Sequence, residues 1–346
     1  MTHRAGFVLG IAFLLTLVPH GRAQGPAARY DTVHKIAVGG EGGWDFLEVD
    51  AANRRLYVTR GTHVVVVDID SEKVVGQIAD TPGVHGVAFV ADLGRGVTSN
   101  GGDSSATIFD TKTLKTLGKV KANGRPDIIY FEPVSRRVFT FNHGSNDTTA
   151  IDPVEMKAVG TLALGGVPEL AVSDDQGHIF VNMEDTSEIV EFDARSLKIL
   201  RRFSLAPGEE PTGLAFDAKK RRLFSTCANR KLVISDADSG KVVQTLEIGP
   251  GPDGCVFDQE TGLIFSSSGG DGTMAVVKEQ STGRYEVVKT VKTQVSAKTI
   301  ALDPKTHRLY LSAAPPEPAP EASAKKAARG RRRYVPGSFV VLVVGE

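Results

Sequence analysis

The feature that most constrains this chain is that it repeats itself. Apolar hairpins recur, among them RRLYVTRGTHVVVVD from Arg54, RRVFTFNHGSNDTTAID from Arg136 and RRLFSTCANRKLVISD from Arg221. Aligned on the first apolar residue of each hairpin, the anchors are Leu56, Gly96, Val138, Ile179, Leu223, Ile264 and Leu309, at intervals of 40, 42, 41, 44, 41 and 45 residues. A fixed period of this size marks an array of small modules, each burying its apolar faces against its neighbours. At 346 residues the chain exceeds what one hydrophobic core usually serves, and an array of small cores accounts for that length.

Within each module the columns read as strands. The residue after the anchor is Tyr57, Val97, Phe139, Phe180, Phe224, Phe265 or Tyr310, aromatic in all but one. Two upstream columns, Leu47, Val87, Ile129, Leu170, Leu214, Cys255, Ile300 and Val49, Phe89, Phe131, Val172, Phe216, Phe257, Leu302, lie two residues apart. Between them sit small residues such as Ala88, Ala171, Ala215 and Ala301. Spacing by two puts the large residues on one face of a strand and the small ones on the other, and both faces are apolar, so both are covered. A third strand ends in D-x-x-x-x-K at Asp68, Asp110, Asp152, Asp193 and Asp236, and a fourth follows. The seventh unit lacks a fourth strand, but TVHKIAVGG (Thr32 to Gly40) reads like one. The expected fold is therefore all-β: a seven-bladed β-propeller of four-stranded antiparallel blades. The N-terminal strand, about 31–39, closes the ring by pairing in the last blade.

The first residues follow a different logic. Thr2-His3-Arg4, an apolar run from Ala5 to Val18, and Gly21 and Ala23 before Gln24 have the layout of a secretory signal peptide over 1–23. The run is about 21 Å long as a helix, short of a ~30 Å bilayer core. The mature chain, 24–346, is then expected as a single propeller domain, periplasmic or secreted, not transmembrane, and monomeric. A segment at 313–337, PPEPAPEASAKKAARGRRRYVPG in its main part, interrupts blade seven without apolar periodicity and reads as a disordered loop. Lys plus Arg and Asp plus Glu both number 41, so no global field points to nucleic acid or a membrane. Locally, Lys325, Lys326, Arg329, Arg331, Arg332 and Arg333 could hold a polyanion.

At Tyr57-Val58-Thr59-Arg60 the chain resembles the YVTN-repeat seven-bladed β-propellers, the secreted or periplasmic group that includes YncE-like proteins. The signature is looser at Val97-Thr98-Ser99-Asn100, Phe139-Thr140-Phe141-Asn142 and Phe180-Val181-Asn182, and Arg60 stands where the family prefers Asn. The repeat pattern carries the resemblance over 31–346. It implies the fold, whereas relatives range from binding proteins to lactonase-like enzymes and parts of quinoprotein, nitrite- and nitrous-oxide-processing enzymes.

Propeller geometry places the loops entering strand one of each blade, and those joining strands two and three, on one face. Glycine-rich and varied, this face is the expected recognition surface. Trp44, Asp45, His85, Arg125, Asp127 and Asp253 are expected nearest the channel mouth, with His143 and Asp147 further out. His63, His85 and His143 share the face without HxH or HExxH spacing, so the sequence points to no metal, and no cofactor motif is present. There is no GxSxG, CxxC or CxxCH. These observations favour a binding or scaffold protein in the cell envelope, recognising a protein partner or small ligand, over an enzyme. A lactonase-like hydrolase using Asp45, His85, Asp127 and His143 is the alternative, and a nucleic-acid or polyanion binder a third. Arginines in the turns between strands one and two read as local partners of nearby aspartates. Cys227 and Cys255, in adjacent blades, could form a bridge or serve as core residues.

Overall fold

A computed structural model describes residues 1–2, 30–31, 33–317 and 333–345. Nearly all of the expected leader, and the basic run from Lys325 to Arg332, lie outside the described residues. Strands β1 to β28, numbered in chain order, form seven four-stranded antiparallel sheets. The innermost strands are β2 (Leu47–Asp50), β6 (Val84–Val90), β10 (Pro126–Glu132), β14 (Pro168–Ser173), β18 (Pro211–Asp217), β22 (Pro252–Asp258) and β26 (Ile300–Leu302). The ring closes as expected. β1 (Val33–Ala37) pairs antiparallel with β28 (Val340–Val344), from Val33 opposite Val344 to Ala37 opposite Val340, and becomes the outer strand of blade seven.

The columns pack between blades. Tyr57 of blade one is fully buried against blade two, with Phe89 at 4.8 Å and Phe109 at 5.7 Å between ring centroids. Phe139, Phe180, Phe224, Phe265 and Tyr310 occupy the same position elsewhere and are likewise buried. Each such side chain contributes on the order of 2–3 kcal/mol by leaving water.

The D-x-x-x-x-K repeat is a turn device. The carboxylate of Asp68 accepts from the Ser71 amide at 2.7 Å, Asp110 from Thr113 at 2.6 Å, Asp193 from Ser196 at 2.6 Å and Asp236 from Ser239 at 2.8 Å. Such Asx turns end the third strand. The arginines of the opposite face pair locally, Arg54 with Asp70 at 2.9 Å and Arg221 with Asp238 at 2.5 Å, and also reach across blades. Arg54 pairs with Asp303 of blade seven at 2.8 Å, and Arg136 with Asp92 of blade two at 2.5 Å. Arg55, Arg95 and Arg137 donate to carbonyls of Thr111, Val154 and Ala194 in the following blade. The length of arginine lets one guanidinium bridge two blades where a lysine would offer a single point charge.

The asparagine that ends strand two has a clear physical purpose in two blades. Asn100 donates to Ser105 Oγ at 3.0 Å and Thr107 Oγ1 at 2.9 Å, and accepts from Thr98 at 2.8 Å. Asn142 repeats this with Asp147, Thr149 and Thr140. Cys227 and Cys255 are unpaired and buried in separate hydrophobic clusters, Cys227 with Phe180 and Leu223, Cys255 with Phe224 and Ile264. They are core residues, not a bridge. No helix among the described residues is long and apolar enough to cross a membrane.

Candidate functional site

A single irregularity, repeated, builds the mouth of the channel. In blades two to six the inner strand's register breaks immediately after its first residue: at Val84, Pro126, Pro168, Pro211 and Pro252. Proline suits a strand start because it has no amide hydrogen to leave unpaired. The next residue falls in the bulge, which re-aims side chains where regular pairing would not. Those residues are His85, Asp127, Glu169, Thr212 and Asp253. Asp45 and Lys298 stand at the same position ahead of β2 and β26. One residue per blade therefore gives the ring Asp45, His85, Asp127, Glu169, Thr212, Asp253, Lys298.

Neighbouring blades hold this ring in place. The backbone carbonyl of Asp45 accepts from Thr299 Oγ1 at 2.8 Å, that of His85 from the Phe46 amide at 3.1 Å, and that of Asp127 from Ser99 Oγ. The carbonyl of Thr212 accepts from Asn182 Nδ2 at 3.2 Å, and that of Lys298 from Ser267 Oγ at 2.5 Å. Each donor belongs to the preceding blade. The loops outside the ring press backbone on backbone. Gly83 has φ +64°, and a Cβ there would lie 2.5 Å from the Gly102 amide nitrogen, so only glycine fits.

The side chains form two groups. His85 Nδ1 faces Asp45 Oδ2 at 2.7 Å and Asp127 Oδ1 at 3.1 Å, and Lys298 Nζ lies 2.5 Å from Asp253 and 3.4 Å from Asp45. Burial favours a neutral His85, but the two carboxylates outweigh it and raise the imidazolium to about 10. Burial raises Asp45, yet Lys298 and His85 together hold it below its ordinary value. Asp253 stays raised, because burial and the Asp45 and Asp127 carboxylates exceed the help from Lys298. On the other side, His143 Nε2 lies 3.9 Å from Glu169 and 3.5 Å from Glu184. Burial, reinforced by the Asp127, Asp253, Glu184 and Asp45 carboxylates, lifts Glu169 to about 9.

The structure thus brings Asp45, His85, Asp127, Asp253 and His143 together, and adds Glu169 and Lys298, which sequence reasoning passed over. Both were legible as the residue after Pro168 and its counterpart in QVSAK. Three other expected residues lie elsewhere. Asp147 is buried in the blade-three network, accepting from Asn142 at 2.6 Å, Asn123 at 2.7 Å and Ser145 at 3.0 Å, which uses up its carboxylate. Arg125 is exposed on its loop, outside the ring. Trp44 packs at a tilt against Tyr334 at 4.4 Å and Phe339 at 5.2 Å between ring centroids, bracing the ends of the blade-seven insertion where Pro316 and Tyr334 form a bridge. With Arg333, Arg60, Asp45, His85 and Lys298 it lines a cavity of about 900 Å3 beside the mouth. Below the ring the channel, about 430 Å3, is mostly apolar, with Phe46, Ile128, Leu170 and Phe216 in its wall. Glu48 interrupts that lining; it is open to the channel, and desolvation by the surrounding wall raises its carboxyl to about 7.

No family model and no curated protein matches the chain. Solved structures do. A chain of the Kuenenia stuttgartiensis hydrazine synthase is similar at 16% identity with a TM-score of 0.69, over 78% of this chain and 92% of that one. A chain of the mitotic checkpoint complex is similar at 16% identity with a TM-score of 0.71, over 88% and 96%. The WD40 repeats of RRP9 are similar at 9% identity with a TM-score of 0.73, over 91% and 97%. At these identities the likeness shows a seven-bladed, WD40-like propeller fold and nothing finer.

Proposed function

We propose that this chain is a YVTN-type, YncE-like propeller that works outside the cytoplasm as a binding protein. Its channel mouth takes up a small ligand or a partner segment bearing cationic and hydrogen-bond-donating groups. The observation that carries this reading is the ring itself: seven equivalent positions, one per blade, with four acidic side chains, Asp45, Asp127, Glu169 and Asp253, against His85 and Lys298. Burial raises Glu169 and Asp253, and the protein's own cations do not fully compensate them. A propeller needs none of these charges to fold, and Thr212 is the sort of residue a merely structural position would hold. The ring is fixed by bonds from neighbouring blades, so little ordering is left for a ligand to induce. The leader-like sequence over 1–23 supports the location.

The same geometry favours binding over the lactonase-like alternative. His85 is clamped between two carboxylates and raised to about 10, so it holds its proton at neutral pH instead of accepting one. The mouth's acidity also opposes polyanion binding there, which leaves that reading to the basic run of the insertion. Calorimetric titration with spermidine, a lysine-rich peptide and citrate tests the proposal. The cations are expected to bind, citrate to be ignored, and D127N/D253N to weaken cation binding at least about tenfold, or 1.4 kcal/mol. Equal binding of citrate, or affinity unchanged in that variant, refutes it.

A further inference from the structure

Compensation around the mouth is uneven. Asp45, Asp127 and Asp253 each have a close cationic partner in His85 or Lys298. Glu169 and Glu184 have none among the described residues except His143, and its contacts are too long for hydrogen bonds. Neither carboxyl accepts a hydrogen bond from the described protein, although the Glu169 side chain is only 12% exposed.

Distances separate two His-carboxylate groups of superficially equal composition. In each of the groups Asp45/His85/Asp127 and His143/Glu169/Glu184, the donor atoms lie within 4.8 Å of one another. An ion held at about 2.1 Å by each donor puts two donors roughly 3.4 Å apart at a tetrahedral angle. The 2.7 Å between His85 and Asp45 is a direct hydrogen bond with no room for an ion between its atoms. The 3.5 and 3.9 Å separations around His143 are too long for hydrogen bonds and suit donors that share a third body.

We propose that His143 Nε2, Glu169 and Glu184 form a binding site for a first-row divalent transition ion. One imidazole nitrogen with two carboxylates favours ions such as Zn2+ or Mn2+ over Ca2+, which takes oxygen donors. Each ligand is braced. The His143 amide donates to Arg125 O at 3.1 Å, the Glu184 amide to Val167 O at 2.9 Å, and Glu169 sits in the β14 bulge. Three protein donors leave a tetrahedral ion one open position. The site deepens the mouth reading, and rests on it only in taking the mouth as open to solutes.

The test uses the whole chain without an affinity tag, stripped with EDTA, and titrated with ZnCl2, MnCl2 and CoCl2. Calorimetry should give one ion per chain, and Co2+ should develop visible ligand-field bands. E169Q and E184Q should each weaken uptake about 100-fold, while H85N, which breaks the other group, should retain it. Thermal unfolding of each variant in EDTA checks that the fold is intact, and E184Q serves if E169Q does not fold. Absence of stoichiometric uptake overturns the proposal, as does uptake that survives both glutamate variants or is lost in H85N. If metal uptake fails while cation binding is still lost in D127N/D253N, this inference falls and the mouth reading stands.

Discussion

Replacing Arg60 by asparagine restores the residue type found at this register in blades two and three, and it should be costly. Arg60 is 2% exposed, and its guanidinium forms no ion pair with a carboxylate among the described residues, Glu41 acting on it only at longer range. It donates instead to the carbonyls of Gly39, Gly40 and Glu41 at 3.1, 2.9 and 3.3 Å, and of Gly42 and Gly43 at 3.2 and 3.4 Å, and lies 3.9 Å from the Phe339 ring centroid. Those carbonyls belong to the loop between the closing strand and blade one. An asparagine is too short to reach them. Nor would it find the partners that satisfy Asn100 and Asn142, because the facing positions are Val58, His63 and Val65 instead of threonines and a serine or aspartate. Losing the desolvated cation–π contact costs about 2 kcal/mol. The carbonyls it leaves lie in a loop that water reaches, so their loss adds no more than about 1 kcal/mol. A loss of about 2–3 kcal/mol lowers Tm by roughly 4 °C in a chain of this size. Scanning calorimetry of R60N beside R60K measures it, and R60K, which keeps the charge but not the fork, should fall between R60N and wild type. An R60N Tm within about 2 °C of wild type would falsify the reasoning.

Two further outcomes follow from the same structure. Ile36 is 4% exposed in β1 opposite Val341, so I36D should open the ring and yield aggregated protein instead of a locally frayed monomer; a monodisperse variant with unchanged Tm contradicts the closure. Thiol titration in denaturant without reductant should count both Cys227 and Cys255 as free, and a count of zero would mean that they are bridged.

The fold was legible because its signal is redundant. The aromatic after each anchor and the alternating columns recur in every blade, so a deviant such as Val97 or Glu48 does not hide the period. The site was legible only in part, because its logic is positional. Asp45, His85, Asp127 and Asp253 stand out as charged residues in glycine-rich loops, but so do Arg125 and Asp147. What separates them is the bulge after the first residue of each inner strand, and only the residue in it joins the ring. Asp147 shares its role with Ser105 of blade two, an equivalence visible only once the hairpins are in register. Trp44 reads as a recognition residue from its loop, yet its partners Tyr334 and Phe339 lie near the other end of the chain and meet it only through ring closure.

Side chains from separate blades meet at one mouth, and the imidazole of His85 reports that directly. Folded, it is raised to about 10 by Asp127 and Asp45 against the opposing effect of burial, compared with 6.5 for a free histidine. The stability this clasp contributes is complete below about pH 6.5 and is lost as pH rises through about 10. A nitrogen-15 NMR titration of histidine-labelled protein, assigned with H85N, should show one ring still protonated at both nitrogens at pH 8.5. If the His85 signal titrates near 6.5, the ordinary value for a free histidine, the three blades do not converge and the proposed site is not there.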